Sequence, residues 1–239
     1  MWQTRTSSSL GRILVPPQLP AGFALFTTSL DFEGRLTPAI AGEIHGVLRD
    51  EFGVEATLNT CTQIHSATVT RAARESAWRE CDACDALFSD ERHVALGIKV
   101  ADCLPVTMID PAHGVIANVH SGWRGAVQRI TAAALDSVER ETAFDAKTAR
   151  AYLGPSIRAC CFEVGEEVAS QFEERFLDRT RAKPHVDLVA YTMAMLRERG
   201  FDDERLSDSG VCTRCDDSIF HSYRRTGKGG GRNLQIVAQ

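Results

Sequence analysis

Three residues of this chain have the types and settings for catalysis: Cys103, His120 and His65. Cys103 lies in Lys99-Val100-Ala101-Asp102-Cys103-Leu104-Pro105, His120 in Asn118-Val119-His120-Ser121-Gly122-Trp123-Arg124-Gly125, and His65 in Gln63-Ile64-His65-Ser66. Each stands at or near the end of an apolar, strand-like run, where a rigid element meets an open loop. Two imidazoles and one thiolate fill three corners of a tetrahedral zinc shell. The fourth corner is left for water or substrate, which is the pattern of a catalytic rather than a structural site. Ligation requires Cys103 deprotonated and both histidines neutral at the bonding nitrogen. A rival reading uses no metal and makes Cys103 the nucleophile with His120 as its base. A thiolate engaged by zinc is the poorer nucleophile, so the two readings compete.

The elements that must position these residues are legible around them. Strands are predicted at Phe23–Thr28, Glu55–Asn59, His93–Val100, Pro105–Ile109 and Val115–His120, with a helix over Pro38–Phe52. Asp110-Pro111-Ala112-His113-Gly114 reads as a turn, which makes Pro105–Ile109 and Val115–His120 a hairpin. Antiparallel pairing then brings Cys103 and His120 to the same end of that hairpin. Apolar residues at helical spacing (Ala126, Val127, Ile130, Ala133, Ala134, Val138) predict one helix over Trp123–Glu141, its N-terminus just past His120. Beyond it come a strand at Ala149–Leu153, helices at Val164–Phe176 and Val186–Arg199, and a last strand pair at Leu206–Val211 and Ile219–Ser222. Residues 1–22 read as a polar, Pro-rich lead-in. The Arg224-to-Arg232 stretch, basic and Gly-rich, reads as a mobile loop, with phosphate binding as the alternative.

Asp102, beside Cys103, is a candidate catalytic residue, either orienting a ligand histidine or carrying a proton. Arg124 could clamp a phosphate or carboxylate, with Arg224 and Arg225 as further anion ligands. Glu163, read as the start of the Val164–Phe176 helix, joins them as a substrate-binding candidate. Cys81-x-x-Cys84 and Cys212-x-x-Cys215 invite a four-thiolate zinc site, but they lie much farther apart than the knuckles of a zinc ribbon. A cytidine-deaminase-type site is also disfavoured, because neither half of its signature is present. Cys160-Cys161 reads as buried or pocket-lining.

The bulk numbers bound the rest. With 239 residues and 44% hydrophobic content the chain has enough material for one large domain, taken as residues 1–239, and is short for two. A formal charge of -5 without a dominant basic patch argues against nucleic acid as the main partner. No apolar run approaches bilayer length, and the N-terminal residues lack a signal-peptide pattern, so a cytoplasmic protein is expected. Eight cysteines then read as buried hydrophobes, ligands or nucleophiles rather than disulfides.

Several blocks, taken in order, resemble the YfiH-like family, known variously as laccase-domain proteins, polyphenol oxidases and purine nucleoside phosphorylases. They are Gln63-Ile64-His65, Asp85-Ala86-Leu87, Ala101-Asp102-Cys103-Leu104-Pro105-Val106, Val119-His120-Ser121-Gly122-Trp123-Arg124-Gly125, Leu153-Gly154-Pro155-Ser156-Ile157, Cys160-Cys161-Phe162-Glu163-Val164-Gly165-Glu166-Glu167-Val168, Cys212-Thr213 and Phe220-His221-Ser222-Tyr223-Arg224-Arg225. The resemblance implies an α/β (α+β) fold: a mixed β-sheet sandwich flanked by helices and related to cysteine-hydrolase-like domains. It implies a zinc site at His65, Cys103 and His120. It also implies phosphorolysis of adenosine, inosine and methylthioadenosine, with adenosine deaminase as a side activity. The partners expected are then a purine nucleoside and phosphate, with the chain a monomer or small homo-oligomer.

Zinc lowers the pKa of a coordinated water to about 7, which suits attack on the amino-bearing carbon of adenine; its part in phosphorolysis is less direct. One branch of the family implies an alternative, a peptidoglycan-editing hydrolase that removes a misincorporated amino acid from a muropeptide precursor. A non-enzymatic partner of cell-wall or division proteins is a third class. A copper-dependent polyphenol oxidase is a further alternative. The seven histidines include no His-x-His pair, so a multicopper cluster has too few ligands, whereas a lone copper on two histidines and one cysteine is conceivable. The chain departs from the family pattern at Phe26-Thr27-Thr28-Ser29-Leu30-Asp31-Phe32-Glu33-Gly34-Arg35. Ser29 stands where the family has arginine, and a Gly-rich turn is missing, in a region that by resemblance borders the substrate pocket.

Overall fold

A computed structural model describes residues 1–31 and 36–239. Two mixed sheets stack face to face, and each carries helices on its outer side. The seven-stranded sheet runs, in spatial order, Gln3–Ser7, Gly11–Val15, Ala24–Leu30, Arg232–Ala238, Val94–Val100, Thr57–Cys61 and Arg79–Cys81. The six-stranded sheet runs Leu206–Asp208, Arg150–Leu153, Leu104–Asp110, Val115–Ser121, Ala86–Ser89 and Val69–Arg71. This is the helix-flanked mixed-sheet sandwich that the resemblance implies. Among the described residues no helix is long and apolar enough to cross a membrane.

The alternation of the central hairpin explains both the layering and the site. Val106, Met108, Val115, Ala117 and Val119 point outward onto the helices Ile130–Glu141 and Leu188–Glu198. Ile109 and Ile116 point inward and meet Leu96, Ile98 and Val237 of the other sheet. The same period of two places Thr107, Asn118 and His120 on the inward side. Between the sheets, Asn118 Nδ2 donates to the carbonyls of Leu96 (3.0 Å) and Gln235 (2.9 Å), and Thr107 Oγ1 donates to Asn118 Oδ1 (2.9 Å). Gln235 Nε2 donates to Thr107 Oγ1 at 2.7 Å. Buried polar groups are costly when unpaired and specific when paired. This network therefore fixes the register between the sheets and, with it, the hairpin end that carries Cys103 and His120.

The Pro38–Phe52 helix forms over the predicted span for local reasons. Thr37 caps it by accepting from Ile40 N, Pro38 opens it, and Gly53 closes it at φ 67°. Ala41, Ile44, Val47 and Leu48 seal the outer face of the seven-stranded sheet.

The structure corrects several elements. Gln3–Ser7 and Gly11–Val15 are strands, not a lead-in. The single helix expected over Trp123–Glu141 is two, Trp123–Val127 and Ile130–Glu141, because Arg129 takes a left-handed conformation (φ 59°) between them. The expected Val164–Phe176 helix is only Glu166–Ala169, followed by a separate turn at Glu174–Phe176. Its apolar spacing is satisfied another way, since Phe172 and Phe176 both meet the Tyr191 ring edge-on, at 5.3 and 5.4 Å. The second member of the expected last strand pair, Ile219–Ser222, is not a strand, while Arg232–Ala238 is one. The basic Gly-rich stretch before that strand, read as mobile, contains a helical turn at Tyr223–Thr226 and a second turn at Gly227–Gly229.

Candidate active site

The three proposed ligands converge. The hairpin register pairs His120 with Pro105 and Ser121 with Leu104, so Cys103 emerges opposite Gly122. His65 reaches the same point from the loop after Thr57–Cys61. Its Nε2 lies 3.9 Å from Cys103 Sγ, and its ring meets that of His120 edge-on at 4.8 Å. The ligand atoms of His65, Cys103 and His120 all lie within 4.8 Å of one another. Zinc bonds of about 2.0–2.3 Å at tetrahedral angles set ligand atoms about 3.5 Å apart, so this donor set fits such an ion with small adjustments.

Asp85 organises the set, and it was absent from the candidate residues although its block was noted. It is fully buried, at the start of the Ala86–Ser89 strand. Oδ1 accepts from His120 Nδ1 at 2.7 Å and from His65 N at 2.9 Å. Oδ2 accepts from Ser66 N (2.6 Å), Ser66 Oγ (2.7 Å) and Ile64 N (3.2 Å). One carboxylate thus fixes the His120 tautomer, leaving Nε2 as its free nitrogen, and also holds the His65 turn at φ 60°. Burial alone would raise the Asp85 carboxyl. The hydrogen bonds from His120 and Ser66 outweigh it and hold it at about 2. The only sequence signal was an acidic residue before an apolar strand, which does not reveal its partners.

Cys103 and His120 support each other's charge. Burial opposes ionisation of both. The attraction between them, with hydrogen bonds from His120 and His65, brings the Cys103 thiol down to about 6. Cys103 and Asp85 together bring His120 up to about 9. Gly122 makes this proximity possible, because a Cβ there would stand 2.8 Å from Cys103 Sγ and 3.2 Å from His65 Cδ2.

His65, Cys103 and His120 line a cavity of about 790 Å³. Lys99, Arg124, Arg224 and Arg232 give it a cationic wall, and Glu80 sits 2.6 Å from Lys99 Nζ. Trp123, Phe162 and Tyr223 supply aromatic surface, with the Arg124 guanidinium laid over the Trp123 ring at 4.3 Å. Lys99, Arg232 and the aromatic residues were not singled out from the sequence.

The other candidates divide. Asp102 lines the cavity at φ 85°. Its Oδ1 accepts from Thr213 Oγ1 and its Oδ2 from Arg224 N, both at 2.7 Å. The carboxylate that orients His120 is therefore Asp85 rather than Asp102. Arg224 Nη1 donates to the Glu163 carbonyl at 2.9 Å. The Glu163 side chain is not in the cavity wall and pairs with Lys183 at 2.9 Å. Glu163 precedes Gly165, the N-cap of the short helix, and bridges to His185, so it does not begin a helix. Arg225 is likewise absent from the wall. It donates to the carbonyls of Thr213, Arg214 and Phe220 and holds its own loop together. Ser29, on Ala24–Leu30, donates to Asn233 Oδ1 at 3.2 Å, while residues 32–35 of the atypical segment lie outside the described residues.

The remaining five histidines are engaged elsewhere: His45 with the Ala56 carbonyl, His93 with that of Glu55, His113 with Asp110, His185 with the Lys183 carbonyl and His221 with Asp31. The donor set therefore suits one mononuclear centre and does not suit a multicopper cluster.

Known proteins share this architecture. The Bacillus licheniformis hypothetical protein YfiH superposes with a TM-score of 0.84 at 21% identity, covering 98% of each chain. YlmD from Geobacillus stearothermophilus gives 0.79 at 21%, covering 95% of this chain and 96% of that one. In sequence, a purine nucleoside phosphorylase of Deinococcus radiodurans is 36% identical over 199 residues, 80% of this chain and 72% of its own length. Adenosine deaminase RL5, from an unknown prokaryotic organism, is 34% identical over 158 residues, 63% of this chain; the match spans 60% of that relative's length. Residues 39–239 match the family described as multi-copper polyphenol oxidoreductase laccase, and the chain belongs to that family.

Proposed function

We propose that this chain is a zinc-dependent purine nucleoside enzyme that cleaves adenosine, inosine and methylthioadenosine with phosphate and deaminates adenosine as a side activity. The observation that carries the reading is that His65, Cys103 and His120 together line a cavity with both aromatic and cationic walls. A planar base needs the first kind of wall and a phosphate the second. Relatives named for both activities support it.

His65, Cys103 and His120 would hold the ion, which when bound would supply Lewis acidity and lower the pKa of a water. Asp85 keeps His120 Nε2 and His65 aimed at one point, so the site is pre-organised before substrate enters. Trp123, Phe162 and Tyr223 bind the base and exclude water from its faces. Arg124 and Arg224 bind phosphate and orient it toward the sugar carbon. In phosphorolysis a phosphate oxygen bonds to that carbon as the carbon–nitrogen bond breaks, and the base leaves with the electron pair. Asp102 acts by holding Arg224 in place through its backbone N–H.

A second reading has a specific observation in its favour. Cys103, His120 and Asp85 also form a nucleophile, a base and an orienting carboxylate, with the thiol already lowered to about 6. That arrangement suits a metal-free cysteine hydrolase, including one that trims a muropeptide precursor. Chelator-stripped protein separates the two. Activity on adenosine lost on stripping and restored by zinc supports the metal enzyme. Activity that survives stripping but is abolished by iodoacetamide supports the thiol mechanism instead.

A further inference from the structure

Cys160, Cys161, Cys212 and Cys215 form a second thiol cluster, outside the cavity described above. Pairing of Cys212-x-x-Cys215 with Cys81-x-x-Cys84 was disfavoured because the two are remote in sequence, and Cys160-Cys161, read as buried or pocket-lining, is neither fully buried nor in the cavity wall. The fold gives Cys212-x-x-Cys215 a different partner. A parallel bridge joins Ser156 to Cys212, with Thr213 N donating to the Ser156 carbonyl at 3.0 Å. This lays the Cys160-Cys161 turn beside the Cys212–Cys215 turn. The four sulfurs all lie within 4.8 Å of one another, with Cys161–Cys215 at 3.4 Å and Cys160–Cys215 at 3.8 Å.

We propose that these four cysteines bind a structural zinc ion. Four sulfurs at about 2.3 Å from a central ion stand about 3.8 Å apart, close to the spacings present. Both turns are braced independently of the thiols. Cys161 N and Phe162 N donate to the Arg158 carbonyl (2.8 Å each), and the Arg158 guanidinium grips Asp208 through two bonds of 2.7 and 2.5 Å. Asp216 N donates to the Cys212 carbonyl at 2.9 Å and closes the second turn. Four thiolates leave no open position, so the role is structural and the preferred ion soft and tetrahedral.

The site would also brace the active centre. Thr213, between the two ligands of the second turn, donates to Asp102, and Arg225 binds the Thr213 and Arg214 carbonyls. Anchoring that turn therefore steadies Asp102 and, through it, Arg224.

The test is metal content by plasma mass spectrometry on protein purified with zinc and a thiol reductant. The double variant Cys161→Ser/Cys215→Ser should hold one equivalent fewer per chain than the parent. The variant His65→Ala/Cys103→Ser should lose a different equivalent. If the parent holds one ion and only the first variant loses it, the cysteine site stands and the zinc reading of the active centre fails. Equal zinc in the parent and Cys161→Ser/Cys215→Ser would overturn the proposal. So would an intact mass lower by two hydrogens that places a disulfide between these turns under reducing conditions. Should the serine variant not fold, cobalt binding to the His65→Ala/Cys103→Ser chain decides. The intense charge-transfer bands of a four-thiolate cobalt centre are expected there, and their absence would contradict it.

Discussion

Asp85 Oδ1 lies 2.7 Å from His120 Nδ1, and the same carboxylate gathers the backbone N–H groups of Ile64, His65 and Ser66. Two of the three proposed metal ligands thus depend on one buried side chain that is not among the residues lining the cavity. Asp85→Asn keeps the volume but removes the charge and turns one acceptor into a donor. Zinc affinity should fall roughly 10–100-fold, as for other outer-shell partners of ligand histidines. Competition against a chromophoric chelator measures this, and an unchanged affinity would mean the histidines are held by other means.

Metal uptake should depend on pH in a defined sense. Ligation needs the Cys103 thiolate and neutral His120. In the metal-free protein the attraction between the two groups brings the thiol down to about 6 and the imidazole up to about 9. Between these values His120 must give up a proton, so affinity should rise about tenfold per pH unit from this pair. Below about 6 Cys103 must give one up as well, and the dependence should steepen. Above about 9 the pair no longer contributes. Chelator competition across this range, yielding a flat profile from pH 6 to 9, would show that the pair is not in the ionised form described.

Gly122→Ala tests proximity alone. The backbone there is extended (φ -72°), so alanine meets no conformational barrier, but its methyl would stand 2.8 Å from Cys103 Sγ. We expect intact circular dichroism, a stability loss of about 1–3 kcal/mol from overpacking, and at least a tenfold fall in activity. Parent-like turnover would mean that Cys103 can move aside without cost to the chemistry.

Arg224 and Arg225 are adjacent but should behave oppositely. Arg224 faces the cavity, so Arg224→Ala should raise the KM for phosphate with little change in melting temperature. Arg225 ties three carbonyls together, so Arg225→Ala should lower stability by about 1–3 kcal/mol while leaving phosphate binding largely intact. Asp102→Ala should raise the KM for phosphate as Arg224→Ala does, because it releases the Arg224 backbone, and should also lower the melting temperature, because it strands the buried Thr213 hydroxyl. Steady-state kinetics beside thermal melts distinguish these outcomes.

The hairpin was the most legible part of the sequence. Two apolar, strand-like runs on either side of the Asp110–Gly114 turn are enough to place Cys103 and His120 at one end, since antiparallel geometry allows little else. The type and setting of His65 made it a candidate, but the family resemblance was needed to join it to the other two, because a loop residue has no periodicity to locate it. Asp85 and the Cys160–Cys215 contact were illegible for a different reason. Both depend on which strands become neighbours, Ala86–Ser89 beside Val115–Ser121 and Arg150–Leu153 beside Leu206–Asp208, and no local pattern encodes that. The strand Arg232–Ala238 was hidden by the glycines before it, although it pairs on both edges at the centre of its sheet. Glu163 and Arg225 were misjudged because charge beside a conspicuous motif says nothing about the direction a side chain takes. Their partners, Lys183 and the Thr213 loop, point them away from the cavity.

The most direct test is product analysis by mass spectrometry of adenosine incubated with zinc-loaded protein, with and without phosphate. The account predicts adenine and ribose 1-phosphate only when phosphate is present, with a smaller yield of inosine in both tubes. Inosine alone in both tubes would leave a deaminase and remove the phosphorylase. Untouched adenosine in both would contradict the nucleoside reading for this substrate and favour the cysteine hydrolase built from the same three residues.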